Sequence, residues 1–182
     1  MSDIMRLLLV STWESLYMVF SSVAIATFFG IPLGVLLFVT DKQQILKNDL
    51  INQVLSWIVN IIRSIPFVIL LILLLPFTKL IVGKAIGTTA AIVPLSIAAI
   101  PLVGRLTETA LREVPKGVIE AAQSMGASPL QIISKVLLPE SLPSIASGIT
   151  ITTINLIGYS AMAGVIGGGG LGDVAVRFGY NR

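Results

Sequence analysis

The sequence contains no cysteine and no histidine, and only 12% of its residues are charged. These absences exclude disulfides, thiol nucleophiles, histidine bases and most transition-metal sites. A soluble domain of this length would carry about a quarter charged residues. Here 55% of the 182 residues are hydrophobic and the mean hydropathy is +0.97. The composition therefore indicates an integral membrane protein, with a single transmembrane domain over residues 1–182.

The charge balance is also slight, at a net +3. In a membrane protein such an excess reflects basic residues at the lipid interface rather than nucleic-acid binding, so we expect contact with lipid and no nucleic-acid partner. We expect no cleavable signal peptide either, because Arg6 is followed by only four apolar residues, Leu7 to Val10.

Four segments are apolar enough and long enough to cross a bilayer, which needs about 20 helical residues. We therefore predict an all-α, polytopic membrane protein. The fourth segment carries several threonines together with Asn155, Tyr159 and Ser160, so we expect it to face other helices or a pathway rather than lipid. The predicted spans are 15–40, 54–75, 85–104 and 142–166.

Two features inside these spans each have two interpretations. Gly30 and Gly34 have the spacing of small residues at a close helix contact, or they are incidental neighbours of a kink at Pro32. Arg63 either lines a water-filled path or, as is more common, extends its guanidinium to the nearby interface.

Charge asymmetry predicts the orientation. With four spans, the connection after the first span and the 105–140 connection share one side and hold six basic residues, or seven with Arg63, against five on the other side. The positive-inside rule places the richer side in the cytoplasm and both chain ends outside. The five are Arg6, Lys79, Lys84, Arg177 and Arg182.

The connection between the last two spans, about 112–140, is unusually polar and is patterned as two short helices. Gly126 stands where a left-handed helix C-cap is expected. Ser128, Pro129 and Gln131 then match a capping box. We expect the second helix to stop at Pro139. From the residues alone, an amphipathic hairpin on the membrane surface is an alternative, whereas a DNA-reading pair is disfavoured because only Lys135 is basic between Glu120 and Glu140.

This connection resembles the EAA loop of the permease subunits of bacterial ABC importers. The resemblance rests on fixed spacing, with Val136 where the family pattern has isoleucine. The rest of the chain is similar to methionine-uptake permeases in "NIIRSIPFVILL", "PFTKLIVG", "AAIVPL" and "GYSAMAGVIGGGGLG". The matching positions in the loop are Glu120, Ala121, Ala122, Gly126, Val136, Leu138 and Pro139.

The resemblance implies that the chain is the membrane-spanning permease subunit of an ATP-driven ABC importer that takes up an amino acid, methionine above all, and it implies a set of partners. The loop is a cytoplasmic coupling-helix pair that docks into an ATPase subunit, and the seven loop residues are its coupling residues. The partners are a pair of ABC ATPase subunits, a second permease copy and an external substrate-binding lipoprotein, in the inner membrane of a bacterium. The family has a fifth transmembrane helix after the position of Gly172, which we do not expect within these 182 residues.

The resemblance to a transport protein also suggests a role for the fourth span, where small residues surround Met162. We predict that Asn155, Tyr159 and Ser160 lie along a translocation path and that Met162 narrows it, because methionine is flexible and repacks easily. The alternative is that Met162 only fills a helix–helix contact.

No nucleotide or cofactor site is expected on this chain. Gly167 to Gly172 fits G-x-G-x-x-G, but a membrane helix precedes it rather than a strand, so a flexible or tightly turned external loop is favoured. A P-loop motif is absent from the sequence, so ATP hydrolysis is expected on a partner. The alternatives are a non-transporting membrane scaffold, or a permease for another amino acid or small polar solute.

Overall fold

A computed structural model of the chain describes residues 2–180, so Arg182, which enters the charge count above, lies outside the described residues. Every regular element of this range is helical, which confirms the all-α class. The α-helices are α1 (Ser2–Val39), α2 (Asp49–Ser64), α3 (Phe67–Val82), α4 (Thr88–Arg112), α5 (Lys116–Ser124), α6 (Pro129–Ile132), α7 (Leu138–Ala163) and α8 (Gly170–Ala175), with π-helical turns at Ile133–Leu137, Gly164–Gly168 and Val176–Tyr180.

Helices α1 and α4 form the central pair of the fold, and glycines let their backbones approach closely. A β-carbon added at Gly30 would lie 2.6 Å from the Cβ of Val103, and one at Gly34 would lie 2.5 Å from the carbonyl oxygen of Gly104. Neither distance is possible for real atoms, so both positions require glycine. The small-residue spacing is thus a helix contact, although Pro32 also lies within α1.

The apolar core lies where α1, α3, α4 and α7 meet. Leu95 and Ala99 of α4 and Met18 of α1 are almost fully buried there, and Leu156 of α7 joins them. Much of the remaining apolar surface is exposed in the isolated chain, as a bilayer requires.

The segment predicted as a span over 54–75 contains a sharp bend that the sequence analysis missed. The segment consists of α2 and α3, whose axes differ by 108° across a break at Ile65 and Pro66. Proline disfavours the helical conformation in the residue before it, and Ile65 is extended, with φ −81° and ψ 126°. The pair is either one broken span or a re-entrant loop, so residues 2–180 contain three helices able to cross a membrane, or four with this pair.

The prediction that the second helix of the 112–140 connection ends at Pro139 is also wrong. Helical backbone continues from Pro129 through Pro139 to Ile166, and the first non-helical residue is Gly167, with φ +93°. The π-helical turn at Ile133–Leu137 explains this, because the Leu138 N–H donates to the carbonyl of Ile133 and the ladder is already shifted before the proline. Pro139 follows at the first turn of α7, where its missing N–H costs little.

Two other predicted ends differ from the observed ones. Helix α1 begins at Ser2 rather than near residue 15, so Glu14 lies within it, and α4 continues past residue 104 to Arg112. Contacts group the connections as predicted: Glu14 adjoins Gly170 at one end of the bundle, and Asp41 contacts Arg112 at the other.

Candidate functional site

The 112–140 segment is held against the end of the bundle by its own small apolar cluster. Ile119 and Ala122 of α5 are buried in it, together with Ile132 of α6. Phe38 and Leu111, at the ends of α1 and α4, complete the floor beneath them. The two short helices are therefore fixed to the spans rather than lying loosely on a membrane surface.

The turn between α5 and α6 has the geometry predicted from Gly126. Its φ is +79°, in the left-handed region. Its N–H donates to Gln123 O at 2.9 Å, and the Ala127 N–H donates to Ala122 O at 3.1 Å. These two bonds define a Schellman motif, and a residue with a β-carbon at position 126 would be strained in it.

The predicted capping box is present at the start of α6. The Gln131 N–H donates to the Ser128 hydroxyl oxygen at 3.4 Å, and the Ser128 N–H donates to the Gln131 side-chain oxygen at 2.8 Å. Pro129 occupies the first turn, where it needs no hydrogen-bond partner. The bend of the pair is thus specified by local sequence.

The predicted coupling residues occupy two different places. Glu120, Ala121 and Gly126 are exposed together at the tip of the segment, whereas Ala122 is buried beneath it. The other three lie further along, in or after the π-helical turn: Val136 and Leu138 are half-buried and Pro139 is exposed.

Two residues at the tip were not identified from the sequence. Met125 is 82% exposed and Leu130 is 77% exposed, on either side of Gly126. Large apolar side chains so exposed beside polar neighbours are typical of a surface that another protein covers. The sequence did not mark them, because Met125 stands three residues after the buried Ala122 and α6 has only four residues, too few for a clear periodic pattern.

A network of ion pairs at the end of α4 stabilises the start of the 112–140 segment. The buried carboxylate of Glu108 accepts hydrogen bonds from Arg105 and Arg112, each at 2.7 Å. Arg112 also pairs with Asp41 at 2.8 Å, which links α4 to the connection after α1. The Lys42 backbone N–H, and then Arg112, hold the pKa of Asp41 below its usual value, so Asp41 is charged at neutral pH.

The four residues predicted along the translocation path also occupy different places: two line a cavity and two do not. Asn155 and Tyr159 line a cavity of about 200 Å³ beside the break between α2 and α3, and the Tyr159 ring stacks on Phe67 with centroids 4.6 Å apart. Ser160 is buried on another side of α7, where its hydroxyl donates to Ile157 O. Met162 is 44% exposed and does not line this cavity.

The glycine run is tightly turned and docked on α1. Gly167, Gly169 and Gly170 have positive φ. The Gly170 N–H donates to the Glu14 carboxylate at 2.8 Å. Nothing in this geometry forms the strand–turn–helix unit that a dinucleotide requires. Within residues 2–180, no three acidic side chains come together as a metal site.

Comparison with known proteins gives consistent matches. Residues 30–182 match the model of a family described as binding-protein-dependent transport system inner membrane component. The chain is 60% identical over 176 residues to the probable D-methionine transport system permease protein MetI of Vibrio cholerae, covering 97% of this chain and 78% of that protein. It is 53% identical over 165 residues to the D-methionine transport system permease protein MetI of Escherichia coli K12, covering 90% and 76%.

Solved structures match as closely. An inward-facing conformation of the MetNI methionine ABC transporter superposes with a TM-score of 0.98 at 50% identity, covering 100% of this chain and 84% of that one. An amino acid ABC transporter solved with histidines gives a TM-score of 0.77 at 22% identity, which is evidence for the fold alone.

Proposed function

The chain belongs to the family of binding-protein-dependent transport system inner membrane components, and we propose that it is the membrane-spanning subunit of an ATP-driven importer of methionine. The chain itself performs no covalent chemistry. Its work is a shift between inward-open and outward-open arrangements, driven by nucleotide on partner chains. It resides in the inner membrane of a bacterium, surrounded by lipid.

The exposed tip of the 112–140 segment carries this proposal. A pair of ATPase subunits binds there, each covering Met125 and Leu130 of one permease copy. The backbone beside Gly126 and Ala121 has no bulky side chain, so a groove in the ATPase can approach it closely. Coupling follows because the tip is fixed to the spans through the cluster around Ile119 and the network around Glu108.

A second copy of the chain completes the pathway. The apolar window of the long helix containing α7 is only 28% buried, against 50% for α1 and 56% for α4. Its uncovered face mixes Ile151, Ile154 and Ile157 with Thr150 and Asn155. That mixture of polar and apolar residues is typical of a helix that faces protein or a pathway rather than lipid.

The pathway runs along this uncovered face. Asn155 and Tyr159 lie on it at mid-depth, and Met162 narrows it one turn further toward the glycine run. Ser160 follows Tyr159 in the sequence but is buried on another side of α7, where its hydroxyl donates to Ile157 O of the same helix. A substrate-binding lipoprotein docks at that outer end, near the turn that Glu14 holds.

Uptake of radiolabelled methionine tests the function. The chain is reconstituted into proteoliposomes with its ATPase and its lipoprotein, and uptake is followed with and without ATP. We expect ATP-dependent accumulation that stops when the ATPase carries a substitution in its P-loop lysine. An assembled complex that hydrolyses ATP but never accumulates methionine would refute the substrate, and a chain that binds no ATPase would refute the whole assignment.

A further inference from the structure

A polar cavity of about 300 Å³ lies at the end of the bundle where α1 and α4 finish, between the connection after α1 and the start of α5. The buried part of its lining is apolar and consists of Phe38, Val114 and Ile119. The exposed part consists of polar residues of the connection and of α5, Lys116 among them. This cavity shares no residue with the one beside the helix break and has no part in the proposed path.

The exposed part of the lining carries two positive charges without a counter-ion. Asp41 and Arg112 also line the cavity, but they pair with each other at 2.8 Å, so the charge of Asp41 is already neutralised. Lys42 and Lys116 are both exposed, and neither forms an ion pair within residues 2–180. A ligand that fills this cavity should therefore be an anion.

The cavity lies at the level where the membrane-spanning part of α1 ends. The connection folds back on this end, because the Leu46 N–H donates to Val39 O at 3.0 Å and the Asn48 N–H donates to Thr40 O at 2.9 Å. Leu46 and Leu50 are exposed apolar side chains. Exposed leucines close in sequence to exposed lysines are typical of a surface at the lipid interface, where apolar side chains enter the acyl chains and ammonium groups lie among phosphates.

A smaller cavity of about 160 Å³ adjoins the first and shares Gln43, Gln44 and Lys116 with it. Glu120 and Gln123 of α5 add to its lining. Side-chain amides both donate and accept hydrogen bonds, and a carboxylate accepts them, so this part suits hydroxyl groups. The negative charge of Glu120 disfavours a second phosphate there. The two cavities together fit a headgroup with one phosphate and an uncharged, hydroxylated end.

These features match one class of ligand. An ammonium group binds a phosphate oxygen through a charge-assisted hydrogen bond, and basic pockets at the cytoplasmic ends of membrane helices suit acidic headgroups. We propose that the larger cavity binds the phosphate group of an anionic phospholipid, with Lys42 and Lys116 holding the phosphate. The bound lipid connects the end of α1 to α5, the helix that leads to the exposed tip. This inference does not depend on the transported substrate.

Lipid retention by the assembled complex provides the test. Permease–ATPase complex in detergent is incubated with equal amounts of phosphatidylglycerol and phosphatidylcholine, and the lipids that remain bound are counted by native mass spectrometry. We expect the wild-type complex to retain phosphatidylglycerol in preference to phosphatidylcholine. Lys42→Gln and Lys116→Gln should each lower the affinity for phosphatidylglycerol by roughly fivefold, and the double variant should lower it further.

Lys47→Gln is the matched control, because Lys47 is an exposed lysine of the same connection that lines neither cavity. It should retain phosphatidylglycerol as the wild type does. Gln43→Glu gives a second measurement, since it adds a negative charge at an exposed position of the lining and keeps both cavity lysines. It should also weaken retention of phosphatidylglycerol.

The outcomes decide for or against the site. Equal retention of the two lipids by the wild type refutes it, and so does retention by the double variant at the level of Lys47→Gln. Glycerol phosphate, which has the same phosphate chemistry without acyl chains, is added as a competitor and should not displace the lipid at an equal concentration. Displacement would show that the ligand is a soluble phosphate compound and would overturn the assignment to lipid. Methionine uptake is not measured here, so failure of the proposed function would leave this result intact.

Discussion

Glu108 and Arg112 are joined by a 2.7 Å hydrogen bond between Oε1 and Nη2, at the end of α4 where the 112–140 segment begins. The Glu108 carboxylate is 8% exposed, and its other oxygen is held by Arg105. Because Arg105 also donates to Asn60 at 3.2 Å and Arg112 to Asp41, this one carboxylate connects α4 to α2 and to the connection after α1.

Replacing Glu108 by glutamine should therefore lower the stability of the permease. The two arginines keep their charges and lose their shared partner, which we expect to cost about 1–3 kcal/mol, since both are partly exposed to solvent. Thermal unfolding in detergent measures the loss. Glu140→Gln, at an exposed glutamate that forms no ion pair within residues 2–180, is the control and should change little; equal effects of both would contradict the bracing role.

The turn at Gly126 can be tested by two substitutions that differ only in tolerance of positive φ. A β-carbon there meets no neighbouring atom, so any effect arises from the backbone. Gly126→Val should strain the turn by about 1–3 kcal/mol and weaken ATPase binding, whereas Gly126→Asn should retain most of it. Co-purification with the ATPase is the measurement.

Gly117 gives the matched control for that experiment. It is an exposed glycine in α5 with open space around it and no positive φ. Gly117→Ala should be neutral or slightly stabilising, because alanine favours a helix. If valine at 126 were as harmless, the turn would have no role in coupling.

The exposed apolar tip predicts a direct loss of ATPase affinity. Met125→Ala and Leu130→Ala should each weaken binding by roughly tenfold, because large apolar side chains that become buried in an interface often dominate its energy. The fold should survive, since both side chains are more than three-quarters exposed. Leu80→Ala, at an 84% exposed position far from the tip, should leave binding unchanged. An interface insensitive to both tip substitutions would have to lie elsewhere.

Shortening the Met162 side chain can show whether this residue is a gate of the path or fills a contact between helices. Shortening a gate should let the complex hydrolyse ATP without the lipoprotein, so we expect Met162→Ala to raise that basal rate several-fold over wild type. Its side chain is 44% exposed in one copy, so the stability of a single permease should change little. Leu80→Ala, at an 84% exposed position on α3 away from this face, is the control. A lowered melting temperature with full lipoprotein dependence would instead indicate packing between copies.

The orientation can be measured directly because the sequence has no cysteine. Lys116→Cys and Lys79→Cys, both at exposed positions, should react with an impermeant thiol reagent from opposite sides of a sealed membrane. Position 116 should react only from the cytoplasmic side. Reaction of both from the same side would overturn the predicted orientation.

Local sequence signals predicted some of this architecture well and some of it badly. The Gly126 turn and the Ser128 capping box were predictable because their hydrogen bonds join residues within five positions. Proline was a poorer guide: Pro66 breaks a helix, whereas Pro76 and Pro139 do not. At Pro139 the helix continues because a π-helical turn has already shifted the hydrogen-bond ladder, and no adjacent residue predicts that turn.

Exposure at the functional surfaces was harder still to predict. The sequence places Met125 and Leu130 among many apolar residues, and only the packing of α5 and α6 reveals which of them remain uncovered. The surroundings of Arg63 were equally hard to predict, because half of the residues that share its cavity belong to α4 and α7, at least 35 positions away in the chain.

The continuous helical backbone from Pro129 to Ile166 has a mechanical consequence. At 1.5 Å per residue it is a rod of roughly 57 Å, long enough to extend from beyond one membrane surface to the other. A tilt of roughly 5° about one end would displace the far end by about 5 Å, close to the pitch of one helical turn. The proposed ATPase contact at Leu130 and the proposed constriction at Met162 thus lie on one continuous helix, so we expect a small rotation outside the membrane to move both of them together.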